Sequence, residues 1–359
     1  MNRRQFLGRS GAAAATGALL GAPAVHAAPR LAWKMVTTWA PQFPVFQTGA
    51  ERFAELVRQM SDGRLSIKVF AGGELVPPLG VFDAVSGGMV EMGHAASYYW
   101  AGKVPEAQFF TSCPFGMNTQ QTNAWLTHGG GLDLWRKVYA PHNLVPFAIG
   151  NSGCQMEGWF KKKLSGLASL KGIKMRVPGL GAQVMAAAGV NVVLLPGSEL
   201  YTALERGTID AVDWVGPYHD MKLGFHRAAK YYYYPGWREP SGVIELTINR
   251  KAWESLPKDL QAIVATAAAE ANVLCLSEFE AKNGDALKEL TGKYAVQVIR
   301  HDDATLKALA RLTDQTLDGL GAKNKAFAEV RDAYRGFMKK IAPWTAVGES
   351  AYTHAKGLV

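Results

Sequence analysis

Short runs with apolar residues at every second position alternate along this chain with longer stretches whose apolar residues fall three and four apart. Residues 31–38 read as a strand. Residues 47–60 carry Ala50, Phe53, Ala54 and Val57 at helical spacing and stop at Asp62-Gly63, after which Leu65, Ile67 and Val69 alternate. Strand, helix, strand predicts a right-handed crossover and a parallel pair. The pattern restarts at 144–149 after a helix expected over 123–139. A second sheet is expected from Ile173, Met175 and Val177, a helix around 182–188 and a strand at 192–194. The chain must then return, because 243–248 is strand-like and Leu256-Pro257 opens a long amphipathic helix to about residue 290. This order predicts an α/β protein of two interleaved lobes with a ligand cleft between them, rather than two tandem domains.

The C-terminal third reads as almost entirely helical. Leu306, Leu309, Leu312 and Leu317 form one apolar stripe, and Phe327, Val330, Tyr334 and Phe337 form another. Packing against the second lobe and a subunit interface both account for these stripes.

One block occurs twice. Val81-Phe82-Asp83-Ala84-Val85-Ser86-Gly87-Gly88-Met89-Val90-Glu91 returns in outline as Leu200-Tyr201-Thr202-Ala203-Leu204-Glu205-Arg206-Gly207-Thr208-Ile209-Asp210. Each copy predicts a short helix, a glycine stop and a strand. Ligands of α/β proteins gather beyond the carboxyl ends of strands, so residues 93–100 and 213–218 are expected to face one crevice. A duplicated half-site predicts two lobes closing on a small ligand.

The amino terminus locates that activity. Asn2-Arg3-Arg4-Gln5-Phe6-Leu7 precedes an apolar run over 11–24 and the small residues of Val25-His26-Ala27, which reads as a twin-arginine export signal, residues 1–27, cleaved after Ala27. The run is shorter than the roughly 20 residues a bilayer requires, and no later stretch reads as long and apolar enough to span one. A periplasmic mature chain is expected. The formal charge of +9 falls by three to +6 when Arg3, Arg4 and Arg9 leave with the signal, a mild bias toward anions. Lysines such as those at 161–163 are scattered among acids, which argues against a nucleic-acid groove. Cys113, Cys154 and Cys275 are too few and too far apart for a disulfide framework or a zinc site, and no pair among them is singled out.

Enzyme signatures are weak. Pro178-Gly179-Leu180-Gly181 lacks the third glycine of a dinucleotide fingerprint, and nucleophile-elbow, zincin and phosphate-loop motifs are absent. His94, His219 and His226 have no evident nucleophile partner. The competing reading is an exported metal-dependent enzyme acting on 2-oxo acids.

Several motifs together resemble the DctP-type solute-binding proteins of TRAP transporters. They are the twin-arginine leader, Met60-Ser61-Asp62-Gly63-Arg64-Leu65, Gly72-Gly73-Glu74-Leu75-Val76-Pro77, Lys171-Gly172-Ile173-Lys174-Met175-Arg176 and Gly207-Thr208-Ile209-Asp210-Ala211. The resemblance covers essentially the whole mature chain. Residues 94–100, 151–155, 213–217 and 231–240 are similar to the branch that binds 2-oxo or 2-hydroxy monocarboxylates. Lobe I is expected at 28–150 and 241–280, lobe II at 151–240 and 281–324, and a helical extension at 325–359; the resemblance implies a homodimer paired through the C-terminal helices. It also implies capture of a small organic monocarboxylate with a metal cation and delivery to a separate TRAP membrane permease.

The residues fit that chemistry. A carboxylate leaving water needs a fixed cation, and Arg offers a planar fork. Arg176, between apolar Met175 and Val177 and just before Pro178-Gly179, is the candidate clamp. For the cation, the resemblance implies Asp213 and Gln155 as ligands; Glu239 and the Trp214 carbonyl complete an oxygen-only set suited to Ca2+ or Na+. Tyr98, Tyr99, Trp214 and Trp237 are expected to wall the pocket, with the tyrosine hydroxyls and Asn151 bonding a keto or hydroxyl oxygen.

Overall fold

The computed structural model describes residues 30–358, so the expected export signal lies outside the described residues. Eleven strands form two sheets among those residues: β1 (Leu31–Thr37), β2 (Leu65–Phe70), β3 (Met92–Ala95), β4 (Leu144–Asn151), β5 (Gly158–Phe160), β6 (Lys174–Arg176), β7 (Asn191–Val193), β8 (Ala211–Val212), β9 (Tyr231–Tyr234), β10 (Val243–Asn249) and β11 (Gln297–Arg300). The first sheet runs β2-β1-β3-β10-β4 and the second β11-β9-β5-β8-β6-β7. β1 pairs in parallel with both β2 and β3, and the returning β10 inserts antiparallel between β3 and β4. The chain passes from the first sheet to the second through 152–157 and back through 235–242. These two segments are bonded to each other, Ser152 N to Gly242 O at 2.9 Å and Gln155 N to Glu239 O at 3.0 Å.

The repeat forms two equivalent units, one in each sheet. Helix Val81–Ser86 leads to β3 and helix Leu200–Arg206 leads to β8. Gly88 and Gly207 occupy the same position in each copy, and both have a φ of 75°, a conformation open to glycine and costly for other residues. The matching acids also do the same work. Glu91 accepts the β1 amide of Lys34 at 2.7 Å, and Asp210 accepts the β6 amide of Lys174 at 3.0 Å.

Three expectations are corrected. The helix expected over 123–139 is two, Thr119–His128 and Gly131–Tyr139, because Gly130 turns the chain left-handed at φ 81° between them. The helix Lys258–Gly292 is long and apolar enough to cross a membrane by length and composition, contrary to the sequence reading. Its apolar side is used inside the protein, where Val264, Ala267, Ala268, Cys275 and Phe279 are buried in the core shared with β4 and helix Gln47–Met60. Third, the stripe of helix Lys325–Val347 packs beside the first sheet rather than against the second. Phe327 and Tyr334 pack on Phe109 and Trp125 beside the first sheet, at ring separations of 5.0 and 5.1 Å, and the Tyr334 hydroxyl accepts Met117 N at 2.7 Å.

A buried acid under the first sheet yields a pH prediction. Glu245 on β10 is fully buried, accepts the Tyr139 hydroxyl at 2.6 Å, and has its other oxygen unpartnered. Desolvation pushes its carboxyl well above the usual range. The unfolded chain therefore loses this proton first, and the group's contribution to stability declines as pH rises above the ordinary carboxylate value. Glu245→Gln, which keeps the acceptor for Tyr139, is expected to gain stability relative to the parent between pH 4 and pH 8 in urea titrations. A difference independent of pH would contradict the assignment.

Candidate functional site

Where the crossing segments meet the ends of β6 and β8, four side chains, Arg176, Asp213, Gln155 and Glu239, each keep one buried polar atom without a partner, and so do Trp214 and Trp237 at Nε1 and Arg238 at Nη1. Arg176 ends β6, and its neighbours Met175 and Val177 enter the second core while its own side chain turns to the opposite face. Its Nη1 donates to Asp213 O at 2.8 Å, its Nε to Leu195 O at 3.2 Å, and the guanidinium lies over the Trp214 ring at 5.3 Å. Nη2 has no partner. Asp213 follows β8; Oδ1 accepts from Arg238 at 3.1 Å, and Oδ2, 4.0 Å from Arg176 Nη1, has no hydrogen bond. Gln155 spends its amide donor on Ser152 Oγ at 2.8 Å, leaving Oε1 free, and Glu239 Oε2 is free as well. All four residues are at most 5% exposed, so solvent does not supply these bonds.

The electrostatics follow from that burial. Desolvation and the adjacent Asp213 push the Glu239 carboxyl well above the usual carboxylate range. Glu157, also desolvated but paired with Arg238 at 3.1 Å, is pushed up to about 7. Arg238 bridges Glu157 and Asp213 rather than its sequence neighbour Glu239. Asp220, pushed up to about 7 by burial, accepts Val215 N at 3.1 Å, the Tyr232 hydroxyl at 2.7 Å and Trp159 Nε1 at 2.9 Å, bracing the 213–215 turn from behind.

The adjoining cavity is tight, ≈ 10 Å3, and its walls include Phe46, Tyr98, Tyr99, Gln155, Trp214 and Ile244. Tyr98 and Tyr99 come from the segment after the first repeat copy and Trp214 from the segment after the second, so the two copies do meet at one cleft.

Two expected ligand residues are not brought to the cavity. Asn151 is fully buried with both side-chain heteroatoms bonded: Oδ1 accepts from Gly153 N at 3.0 Å, Thr119 Oγ1 at 3.2 Å and Gly242 N at 3.3 Å, and Nδ2 donates to Ser241 Oγ at 2.9 Å. It pins the crossing segments together. Trp237 stacks on Phe115 at 5.2 Å and belongs to the second core. Residues the sequence reading missed are Phe46, Ile244 and Arg238, whose partners Glu157 and Asp213 lie 81 and 25 positions away. Gly242 is a further one, because a Cβ there would stand 2.3 Å from Ser152 Oγ and 2.7 Å from Gln155 Nε2.

The other reactive groups have structural environments. Trp39 Nε1 donates to His94 Nδ1 at 2.6 Å, His219 Nε2 bonds Pro44 O at 2.8 Å, and His226 lies 4.1 Å from the Tyr294 ring. Cys113, Cys154 and Cys275 are all free thiols.

Comparison with known proteins agrees with this architecture. Residues 35–324 match DctP, the bacterial extracellular solute-binding protein family 7. The chain is 44% identical over 358 residues, 98% of each protein, to the monocarboxylate 2-oxoacid-binding periplasmic protein of Nostoc sp. (strain PCC 7120). A TRAP transporter solute-binding protein from Bordetella bronchiseptica RB50, a dimer with copurified calcium and picolinate, superimposes with a TM-score of 0.90 at 37% identity, covering 92% of this chain and 98% of that one. A TRAP periplasmic solute-binding protein from Pseudoalteromonas atlantica T6c, with bound sodium and pyruvate, gives 0.88 at 39% identity, covering 90% and 99%. This chain therefore belongs to the DctP family of TRAP-transporter solute-binding proteins. Its role is to bind a solute for transport, and the enzyme alternative falls with that assignment.

Proposed function

We propose that the protein works in the periplasm, where it captures a small 2-oxo or 2-hydroxy monocarboxylate, pyruvate, lactate or a longer 2-oxo acid, together with a Ca2+ or Na+ ion, and delivers the anion to the TRAP membrane permease. The observation that carries this reading is a group of buried, unpartnered atoms that an anion and a cation would complete: the guanidinium donor Arg176 Nη2 and three oxygens, from Asp213, Glu239 and Gln155. A carboxylate satisfies the first and a hard cation the other three, to which the Trp214 carbonyl adds a fourth oxygen ligand. Two carboxylates, an amide and a peptide carbonyl form an oxygen-only donor set rather than the sulfur and nitrogen set of a zinc site.

Charge favours the divalent ion. Asp213, Glu239 and the ligand carboxylate bring three negative charges against one on Arg176, while Arg238 and Glu157 cancel each other. Calcium neutralises the remainder and sodium leaves one negative charge. The two sheets are read as lobes I and II, with the crossings at 152–157 and 235–242 as the hinge that lets the tight cavity open. Native mass spectrometry of the purified protein is expected to show an organic monocarboxylate and calcium bound together. Turnover of a 2-oxo acid, or no affinity for any such acid in calcium buffer, would overturn the reading.

Assembly is part of the proposal. With the 325–341 stripe spent inside the chain, the apolar surface left for a second copy lies beyond Pro343, where Trp344 is 72% and Tyr352 67% exposed, with Val347 and Leu358 also exposed. The dimer described for the Bordetella relative supports pairing here. Sedimentation velocity at micromolar concentration should find a dimer for the intact mature chain and a monomer after truncation at Ala342. A monomeric intact chain would refute it.

A further inference from the structure

The second sheet gathers at one end bases that the sequence spreads over several segments. β6 and β8 run parallel, and their carboxyl ends present Arg176 and Asp213 to the proposed anion site. The opposite end is basic. Lys161, Lys162 and Lys163 follow β5, whose Phe160 pairs with Ala211 at the start of β8; Lys171 and Lys174 lead into β6; Arg206 ends the helix ahead of β8; and Lys230 precedes β9, whose Tyr231 pairs with Phe160. All but the half-buried Lys161 are exposed, and none of the seven forms an ion pair among the described residues. Glu205 and Asp210 are the acids on these segments, and Asp210 is already spent on the Lys174 amide at 3.0 Å. A surplus of five positive charges therefore sits at this one pole, against +6 for the whole chain without residues 1–27.

We propose that this pole is a docking surface for the anionic phospholipid headgroups of the membrane that holds the permease, and that it keeps the carrier close to that membrane between deliveries. The inference goes beyond the proposed function and does not depend on the solute. Two observations favour headgroups over an acidic protein. Protein interfaces centre on apolar side chains, and the large apolar residues that this sheet exposes, Val193 and Tyr234, stand at its other end, where Val193 pairs with Arg176 and Tyr234 closes β9. The basic end holds instead a cavity of ≈ 310 Å3 lined by Lys162, Lys163 and Lys171 together with Ser169 and Asp210. A phosphodiester brings one charge and acceptor oxygens only, which lysine meets as a point charge. The pole also lies opposite the cleft, so a protein held by it keeps the cleft free for solute. Attraction of this kind is weak per charge and fades within a screening length, which leaves the carrier able to turn and leave.

The test mixes full-length mature protein at about 50 mM salt with vesicles of phosphatidylcholine, alone or with about one-third phosphatidylglycerol, and measures bound protein by flotation. Binding is expected on the anionic vesicles only, and it should vanish at about 0.5 M salt, where screening is several times shorter. Each lysine near an anionic surface is worth roughly fivefold in partitioning, so replacing Lys161, Lys162 and Lys163 together with Gln should lower binding at least tenfold. Replacing Lys34, Lys251 and Lys258 of the first-sheet side with Gln removes the same charge and should lower it less than threefold. Equal losses in two variants that melt like the parent would mean that net charge alone acts, and would overturn the proposal. Capture of a glutamate-rich peptide by these lysines without binding to the anionic vesicles would assign the pole to an acidic protein and overturn it as well. Pyruvate binding is read on the same samples: a parent protein that binds pyruvate and not the vesicles defeats this inference alone and leaves the proposed function standing.

Discussion

Arg176→Ala is expected to lower affinity for 2-oxo monocarboxylates by roughly two to four orders of magnitude. The guanidinium is buried, bonded to the Asp213 and Leu195 carbonyls, and has one nitrogen left for a ligand. Removing it leaves the bound carboxylate beside Asp213 and Glu239 with only the metal to compensate, and breaking one partner of a buried charge pair typically costs about 3–5 kcal/mol. At about 1.4 kcal/mol per factor of ten, that is the stated range. Arg176→Lys should restore only part, because an ammonium keeps the charge and loses the planar fork that reaches two carbonyls and a ligand at once. Circular dichroism and ligand-free melting must match the parent, since the same substitution strands two buried carbonyls. A well-folded Arg176→Ala protein that binds within threefold of the parent would remove Arg176 from the anion site.

Arg176 was legible because its strand is short and strictly alternating: Met175 and Val177 must enter the core, so the residue between them must not. The repeat was legible for a similar reason, since its glycine and acid perform backbone tasks that only a few residue types can perform. Asp213, Glu239 and Gln155 carry no pattern of their own. Gln155 and Glu239 converge through two crossing segments, 84 positions apart, Asp213 joins them from the end of β8, and only the family's motifs pointed to them. Asn151 was ambiguous because a polar residue at a strand end suits a ligand or a hinge equally well, and here three of its four bonds go to the hinge and one to Thr119. The stripe on helix Lys325–Val347 announced burial of one face and not the identity of the partner, which amphipathic periodicity never contains. Phe46 was invisible for a different reason. Its place on the wall of the tight cavity depends on the left-handed turn at Val45, a conformation that residue type argues against.

Removing the metal is expected to weaken ligand binding at least a hundredfold and to lower the melting temperature of the anion-saturated protein by about 5 °C. In the proposed site cation and anion share residues, so each stabilises the form the other binds, and a ligand at a hundred times its dissociation constant adds about 2.7 kcal/mol to stability. For a chain of this size about 2 °C per kcal/mol is expected. Unchanged calorimetric affinity after verified chelation would rule out a shared site. Glu239→Gln separates this account from a purely structural role for the acid. Burial and the neighbouring Asp213 oppose the charge on Glu239, and no hydrogen bond satisfies its Oε2. Replacing it with a neutral amide should therefore raise the melting temperature of the metal-free protein, while the loss of one carboxylate from the cation's shell lowers calcium affinity by at least tenfold. A purely structural acid would change stability and leave calcium affinity alone, so a Glu239→Gln protein less stable without metal and unaltered in calcium binding would strike Glu239 from the cation site.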